Sequence, residues 1–473
     1  MFMYRLKMAT GFFFQYHGKK ILLVGLVAAI LFAVGFYTIR PAIDAINHRA
    51  AVNRFNNMTR DDMISDFEYL MTTLEENWPF FNISISANGV DVRELADNTR
   101  TLLNNPATDI NCPFDFLHIV QEYFFEPINQ LGHLRQIFHY EDFFATRARV
   151  NLEIEQGRID RLFVFFHEVF NRPESVLFYD RLRDTGRGGV MPPPRTGPVM
   201  EFDILEDGRI AYMGVNRMIN IWQDTWRHHT NMWHYEGLTY RFSQDIEGYE
   251  HLIIDFRGNR GGLSMHFRSL IMPQFLRDGI GLHAYAFYMD GEYAALAREV
   301  FDIRSIFPPI AHSELEDNFV PPEVHFSEPL PYLDPNADFA HAISSFLHII
   351  PVYHYYGVMN SARQDTLFDG KIWLLTDGET ASAAEGVVAI LKYNEIVTVV
   401  GEPTWGIMGT SFEPNTMYLT MPNTGIIVRF DVAYYTDPYG RPFQGYGIQP
   451  HYFPRPGMDA LETVLAMIEE GSC

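Results

Sequence analysis

KIWLLTDGETASAAEGVVAILKYN, residues 371–394, reads as a buried apolar strand that runs through Asp377-Gly378 into a turn of small residues and then a helix over Ala381–Lys392. Ser382 falls at that helix's N-terminus. The free N–H groups and positive dipole end there stabilise negative charge, and the alanines around it leave space for a second molecule. A serine in this place is also the ordinary helix cap, so the segment alone leaves both roles open.

Upstream, HLIIDFRGNRGGLS (251–264) repeats the theme: an apolar strand ends in Asp255 and enters a loop containing Gly258, Gly261 and Gly262. Adjacent glycines permit positive φ and close approach of backbone N–H donors to a ligand. Short apolar runs at Ile210–Val215, Ile372–Leu375, Val397–Val400 and Gly425–Val432 complete a set of strands interleaved with helical stretches, the signature of an α/β layer structure.

The two segments together resemble the paired signatures of the C-terminal processing (tail-specific) serine protease family, which includes the tricorn protease core and the repeats of interphotoreceptor retinoid-binding protein. IIDFRGNRGG, TASAAE, VVGEPTWG (399–406) and GYGIQPH (445–451) occur here in the family's order, over roughly residues 200–470. The resemblance implies a crotonase-like α/β protease core that cuts peptides through an acyl-enzyme. It implies Ser382 as nucleophile, and an oxyanion hole from the N–H of Ala383 with one from Gly261 or Gly262. No cofactor is expected. A non-catalytic ligand-binding module on the same scaffold, using Trp222, Trp226, Trp233 and Tyr235, is the alternative.

Family members pair the serine either with a lysine about 25 residues on or with a histidine from the N-terminal part of the chain. The chain has five lysines, and Ile407 stands where the family's lysine is expected. Lys392 lies ten residues down the helix from Ser382, about 15 Å away, and Lys371 begins the strand whose far end holds the turn. The histidine branch is therefore expected, with His133 of LGHLRQI as base and His266 and His139 as further candidates. Gln444 occupies the position of a carboxylate that orients the catalytic network in the tricorn-like branch; it can orient by hydrogen bonding but cannot offset a charged intermediate. Residues 150–200 lack the pattern of the PDZ module that many processing proteases carry.

Outside this core, Met63, Phe67, Leu70, Met71 and Leu74 recur at helical spacing after Thr59, and further helical patterns cover Val92–Leu103 and Phe114–Phe125, so residues 41–185 read as a mainly helical N-terminal domain. GRGGVMPPPRTGP (186–198) reads as a linker, and 199–470 as the catalytic domain. Residues 21–39 form an uncharged run of 19, the length of a transmembrane anchor. The basic segment before it (Arg5, Lys7, Lys19, Lys20) orients the N-terminus to the cytoplasm and the catalytic domain outside. The net charge is −23, and the five Lys/Arg of residues 1–40, unaccompanied by acid, leave −28 on the remainder, which argues against nucleic acid as a partner. Two cysteines give no basis for a disulfide scaffold, and His228, His229 and His234 lack acidic companions at ligand spacing, so no metal is expected. A peptide or protein substrate is the expected partner.

Overall fold

Alternation along the central strands decides how the layers stack. In β4 (His251–Asp255) Leu252 and Ile254 point to one side and Ile253 to the other; in β7 (Lys371–Thr376) Ile372 and Leu374 oppose Trp373 and Leu375. Both sets are buried, because helix Ala383–Tyr393 covers one face while Ala460–Glu469 closes the other through Val464, Met467 and Ile468. A sheet covered on both sides needs continuous apolar strands, which is how HLIID and KIWLLT read. The computed structural model describes residues 40–157, 161–187, 198–218, 235, 237–262, 275, 280–303, 330–337, 339–349, 368–408, 416–437 and 439–471.

This five-stranded sheet has the order β2-β3-β4-β7-β8, with β2 (Met200–Glu206) antiparallel to β3 (Ile210–Val215) and the remaining neighbours, through β8 (Val397–Gly401), parallel. The carboxyl ends of β4 and β7 therefore lie side by side, and both segments singled out in the sequence leave from that edge. Two three-stranded sheets complete the fold. One joins β5 (Ile280–Tyr288) to β6 (His341–Ile349) and β11 (Ala433–Thr436); the other has β10 (Ile427–Asp431) between β9 (Thr416–Thr420) and β1 (Arg135–Gln136).

The N-terminal helices form where the periodicity places them. Arg60–Asn77 begins at Thr59, whose hydroxyl and backbone exchange hydrogen bonds with Asp62 as a capping box, and it ends at Trp78 before Pro79. Val92–Asn104 follows the second pattern, while the third divides into Pro113–Val120 and a π-helical turn over Gln121–Phe125. Tyr140–Glu155, Arg161–Asn171 and Pro173–Thr185 complete the helical region.

One continuous apolar core runs from Met63 to Ile448, so the helical region and the sheets share an interior. Strand β1 comes from the helical region yet pairs with β10 of the catalytic part. Buried Asp66 reinforces the join by accepting from the N–H groups of Asn423 (2.9 Å) and Thr424 (2.7 Å) and from the Thr424 hydroxyl (2.7 Å) at the β9–β10 turn. Asp66→Ala leaves those donors buried and unpaired, and is expected to lower unfolding free energy by about 2–4 kcal/mol in denaturant melts.

The anchor over 21–39 and most of the 186–198 linker lie outside the described residues, as do His266, Trp222, Trp226, Trp233, His228, His229 and His234. Among the described residues no helix is long and apolar enough to cross a membrane.

Candidate active site

Ser382 caps helix Ala383–Tyr393 in a backbone conformation, φ 57° and ψ −121°, that L-residues avoid. That strain is characteristic of a side chain held up at a sharp strand-to-helix turn. The Ser382 N–H donates to Glu385 Oε2 at 2.8 Å, which fixes the turn from beneath. As the first helical residue, Ala383 has no intrahelical acceptor for its own N–H.

The glycine loop is stitched to this turn. Ala381 N–H donates to Asn259 O at 2.9 Å, Thr380 Oγ1 donates to Phe256 O at 3.0 Å, and Asp377 accepts from the Gly258 N–H at 2.9 and 3.0 Å. Gly261 lies so close that a Cβ there would stand 2.8 Å from Ser382 Cβ and 2.9 Å from Ala383 N, with φ at +85°; only glycine fits. Its N–H is donated to Asn259 Oδ1 at 2.9 Å. The Gly262 N–H donates no hydrogen bond to a described residue.

Glu385 ties this turn to the segment that follows β8. Its carboxylate accepts from Thr404 Oγ1 (2.6 Å), Gly406 N (2.7 Å) and Ile407 N (3.0 Å), besides Ser382. Burial outweighs these donors and pushes its pKa up to about 7. The native state thus holds a proton that an unfolded glutamate has lost, so this contribution is fully present below pH ~4.5 and is lost as pH rises through about 7. Between pH 5 and 8 the wild type is expected to lose about 3 kcal/mol through this group, and Glu385→Gln to flatten the slope, as read from urea melts at each pH.

His133 ends a turn in which Asn129, Gln130 and His133 all take positive φ (53°, 60° and 49°), a second strained spot. The turn delivers the imidazole to the end of β10, where Nδ1 lies 2.7 Å from Asp431 Oδ2, both side chains being buried. Thr416 Oγ1 donates to the other oxygen, Oδ1, at 2.6 Å, and Gln444 Nε2 approaches Oδ2 at 3.4 Å. Burial alone would raise the Asp431 pKa, but the charge and hydrogen bond of His133, the Arg429 charge and the Thr416 hydroxyl outweigh it and hold the carboxyl below its usual range.

Sequence reading missed Asp431. The strand around it was legible, but nothing in VRFD marks the acid at its end as different from a surface aspartate; only the pairing of β1 with β10 brings it beneath His133. Gln444, the position expected to orient the network, contacts Asp431 rather than the imidazole; its Oε1 accepts from Tyr435 N at 3.2 Å. It also faces Ile407 across an antiparallel bridge, so the His133–Asp431 pair and the Ser382–Glu385 turn meet through Gln444 and Ile407. Lys392 donates to Gln449 O, and Lys371 lies 4.1 Å over the Trp373 ring. Both are engaged away from Ser382.

The sequence model of Peptidase family S41 matches residues 209–453, just over half of the chain. The chain belongs to peptidase family S41. It is accordingly a serine-type peptidase with an α/β protease fold, acting on a peptide or protein. No curated protein matches this S41 peptidase. Solved structures similar to it include a candidate peptidase of Parabacteroides merdae, at 17% identity over 88% of this chain and 97% of the other (TM-score 0.47). Mature CPAF complexed with lactacystin is similar at 11% identity over 87% and 97% (TM-score 0.48). The photosystem II D1 C-terminal processing protease is similar at 15% identity over 56% and 50% (TM-score 0.30).

Proposed function

We propose that this S41 peptidase hydrolyses exported peptides or proteins through an acyl-enzyme on Ser382, on a crotonase-like core, with His133 as general base and Asp431 as its orienting carboxylate. The observation that carries the reading is the buried 2.7 Å contact between His133 Nδ1 and Asp431 Oδ2. A buried, ionised carboxylate at Nδ1 keeps the imidazole proton on that nitrogen and leaves Nε2 as the acceptor. Nε2 takes the proton of Ser382 Oγ as the oxygen attacks the scissile carbonyl; the Ala383 and Gly262 N–H groups receive the oxyanion, and Gly261 supplies the room. The imidazolium then protonates the leaving amine, and water releases the acyl group by the same route in reverse.

Export is supported by the uncharged run at 21–39 with its preceding basic residues, read as a single-pass membrane anchor. The test is intact-mass labelling of the full chain in detergent by a fluorophosphonate. Adduct on Ser382 that is absent from Ser382→Ala and from His133→Ala supports the mechanism. A folded wild type that takes no label sinks it.

A further inference from the structure

Two buried oxygens near the turn that carries His133 have no hydrogen-bond partner among the described residues: Asp334 Oδ2 and the hydroxyl of Tyr434, a residue 0% exposed. The other buried carboxylates described above have both oxygens satisfied, Asp66 by the β9–β10 turn, Glu385 by four donors and Asp431 by His133 and Thr416. Asp334 accepts only from the Asn336 N–H, through Oδ1 at 2.8 Å, and forms no ion pair with a described residue. An unpaired buried oxygen costs stability, most of all on a charged group, so this one calls for a partner that comes from outside.

Tyr446 completes the arrangement. It is 40% exposed and hydrogen-bonded to Ser86 of helix Phe81–Asn88. Burial first, then Tyr446 and Asp334, raise the Tyr434 pKa and keep it a neutral phenol; after burial, Asp334 raises Tyr446 as well. The three side chains therefore feel one another's charge, yet Asp334 Oδ2 and the Tyr434 hydroxyl are not bonded to each other. Phe80, edge-on to the Tyr434 ring with centroids 5.7 Å apart, and Phe339, stacked on it at 5.6 Å, give the space between them apolar walls.

The position of this space ties it to the proposed active site. A Cβ on Gly132, next to His133, would stand 2.5 Å from the Phe80 ring. Gly445, next to Tyr446, donates its N–H to Gly406 O at 2.7 Å, and Gly406 in turn donates to Glu385 beneath the Ser382 turn. The segment carrying Asp334 is pinned by Asn82 Nδ2, which donates to Asn336 O at 2.8 Å, and by the Tyr332 N–H, which donates to Tyr439 O at 3.1 Å.

We infer that Asp334, Tyr434 and Tyr446 form a pocket for a primary ammonium group of the substrate. The inference rests on the peptidase reading proposed above and adds a substrate class to it. An ammonium has three N–H donors and no acceptor, which matches one carboxylate and two phenol oxygens, whereas a planar guanidinium fork does not fit a three-sided set. Water would satisfy the hydroxyls but leave the carboxylate without a counter-charge. The ammonium belongs to a lysine side chain or to a free N-terminus, and Tyr446, held by one hydrogen bond at the exposed end, is the wall that gives way to admit it.

The test measures binding on the full-length Ser382→Ala protein in detergent, so it does not depend on turnover. Fluorescence anisotropy compares octapeptides, labelled at the C-terminus and otherwise uncharged, that carry lysine, arginine or norleucine at one position at a time, each with a free or an acetylated N-terminus. About tenfold tighter binding is expected for one ammonium form over its neutral counterpart, and which form gains identifies the source. Arginine at the same position is expected to recover less than half of that gain. The preference is expected to fall to within about twofold in Asp334→Asn and by about threefold in Tyr434→Phe, which keeps the ring and removes the hydroxyl. Asp334→Asn is also expected to melt no lower than the parent, because the unpaired buried charge is gone. Equal affinity for lysine and norleucine at every position and for both N-termini, or a preference that survives Asp334→Asn, overturns the pocket. Fluorophosphonate labelling of the wild type is read separately: labelling with no ammonium preference leaves the mechanism standing without the pocket, and preference without labelling does the reverse.

Discussion

Ser382→Ala is expected to reduce peptide hydrolysis by about four to six orders of magnitude, to the level left by an oxyanion hole without a nucleophile. Ser382→Gly is expected to be as inactive and yet more stable than the wild type. The reason is the backbone: at φ 57° and ψ −121° a Cβ is strained, and glycine is free of that penalty, worth about 1–3 kcal/mol. A rise of a few degrees in the melting temperature of Ser382→Gly, beside no such rise in Ser382→Ala, would show that the fold bears a strain only the hydroxyl justifies. If glycine melts lower than alanine, the turn is unstrained in solution, and one argument for its role is gone.

Asp431→Asn is expected to cut kcat by about three to four orders of magnitude with little change in KM. An amide offers Nδ1 either a donor or a weaker acceptor, so the imidazole is no longer held with Nε2 free, and the imidazolium formed during reaction has no counter-charge. Gln444→Ala is expected to cost less than about tenfold, because Thr416 still holds the carboxylate and Gln444 reaches it only at 3.4 Å. Steady-state kinetics on one peptide decide the order: if Gln444→Ala is the worse of the two, Asp431 is a structural acid and the orienting role returns to position 444.

The elements with strong periodicity or flanking signals were legible in the sequence. Ile210–Val215 is β3 at the same bounds, and the helix expected over Ala381–Lys392 runs Ala383–Tyr393, its start displaced because Ser382 turns sharply before helical geometry begins. The strand-to-helix turn at Ser382 and the glycine loop were legible because glycines and small residues are punctuation that side-chain packing does not override. Strand β1 was not: two residues carry no period, and Arg135-Gln136 becomes a strand only because β10 lies beside it. The π-helical turn at Gln121–Phe125 was hidden for a similar reason, since its residues keep a helical pattern while the hydrogen bonding shifts. Asp431 shares that cause. It takes its meaning from a partner about three hundred positions away, and no local pattern records such a neighbour.

The pairing of β1 with β10 also bears on how the chain is made. His133 and Asp431 are separated by 298 positions, so the ribosome completes nearly the whole polypeptide before they can meet. Until β10 has been made and pairs with β1, an emerging chain holds His133 without the Asp431 carboxylate beside it. On the proposed mechanism the base therefore lacks its orienting carboxylate for most of synthesis, and activity is delayed by the topology itself.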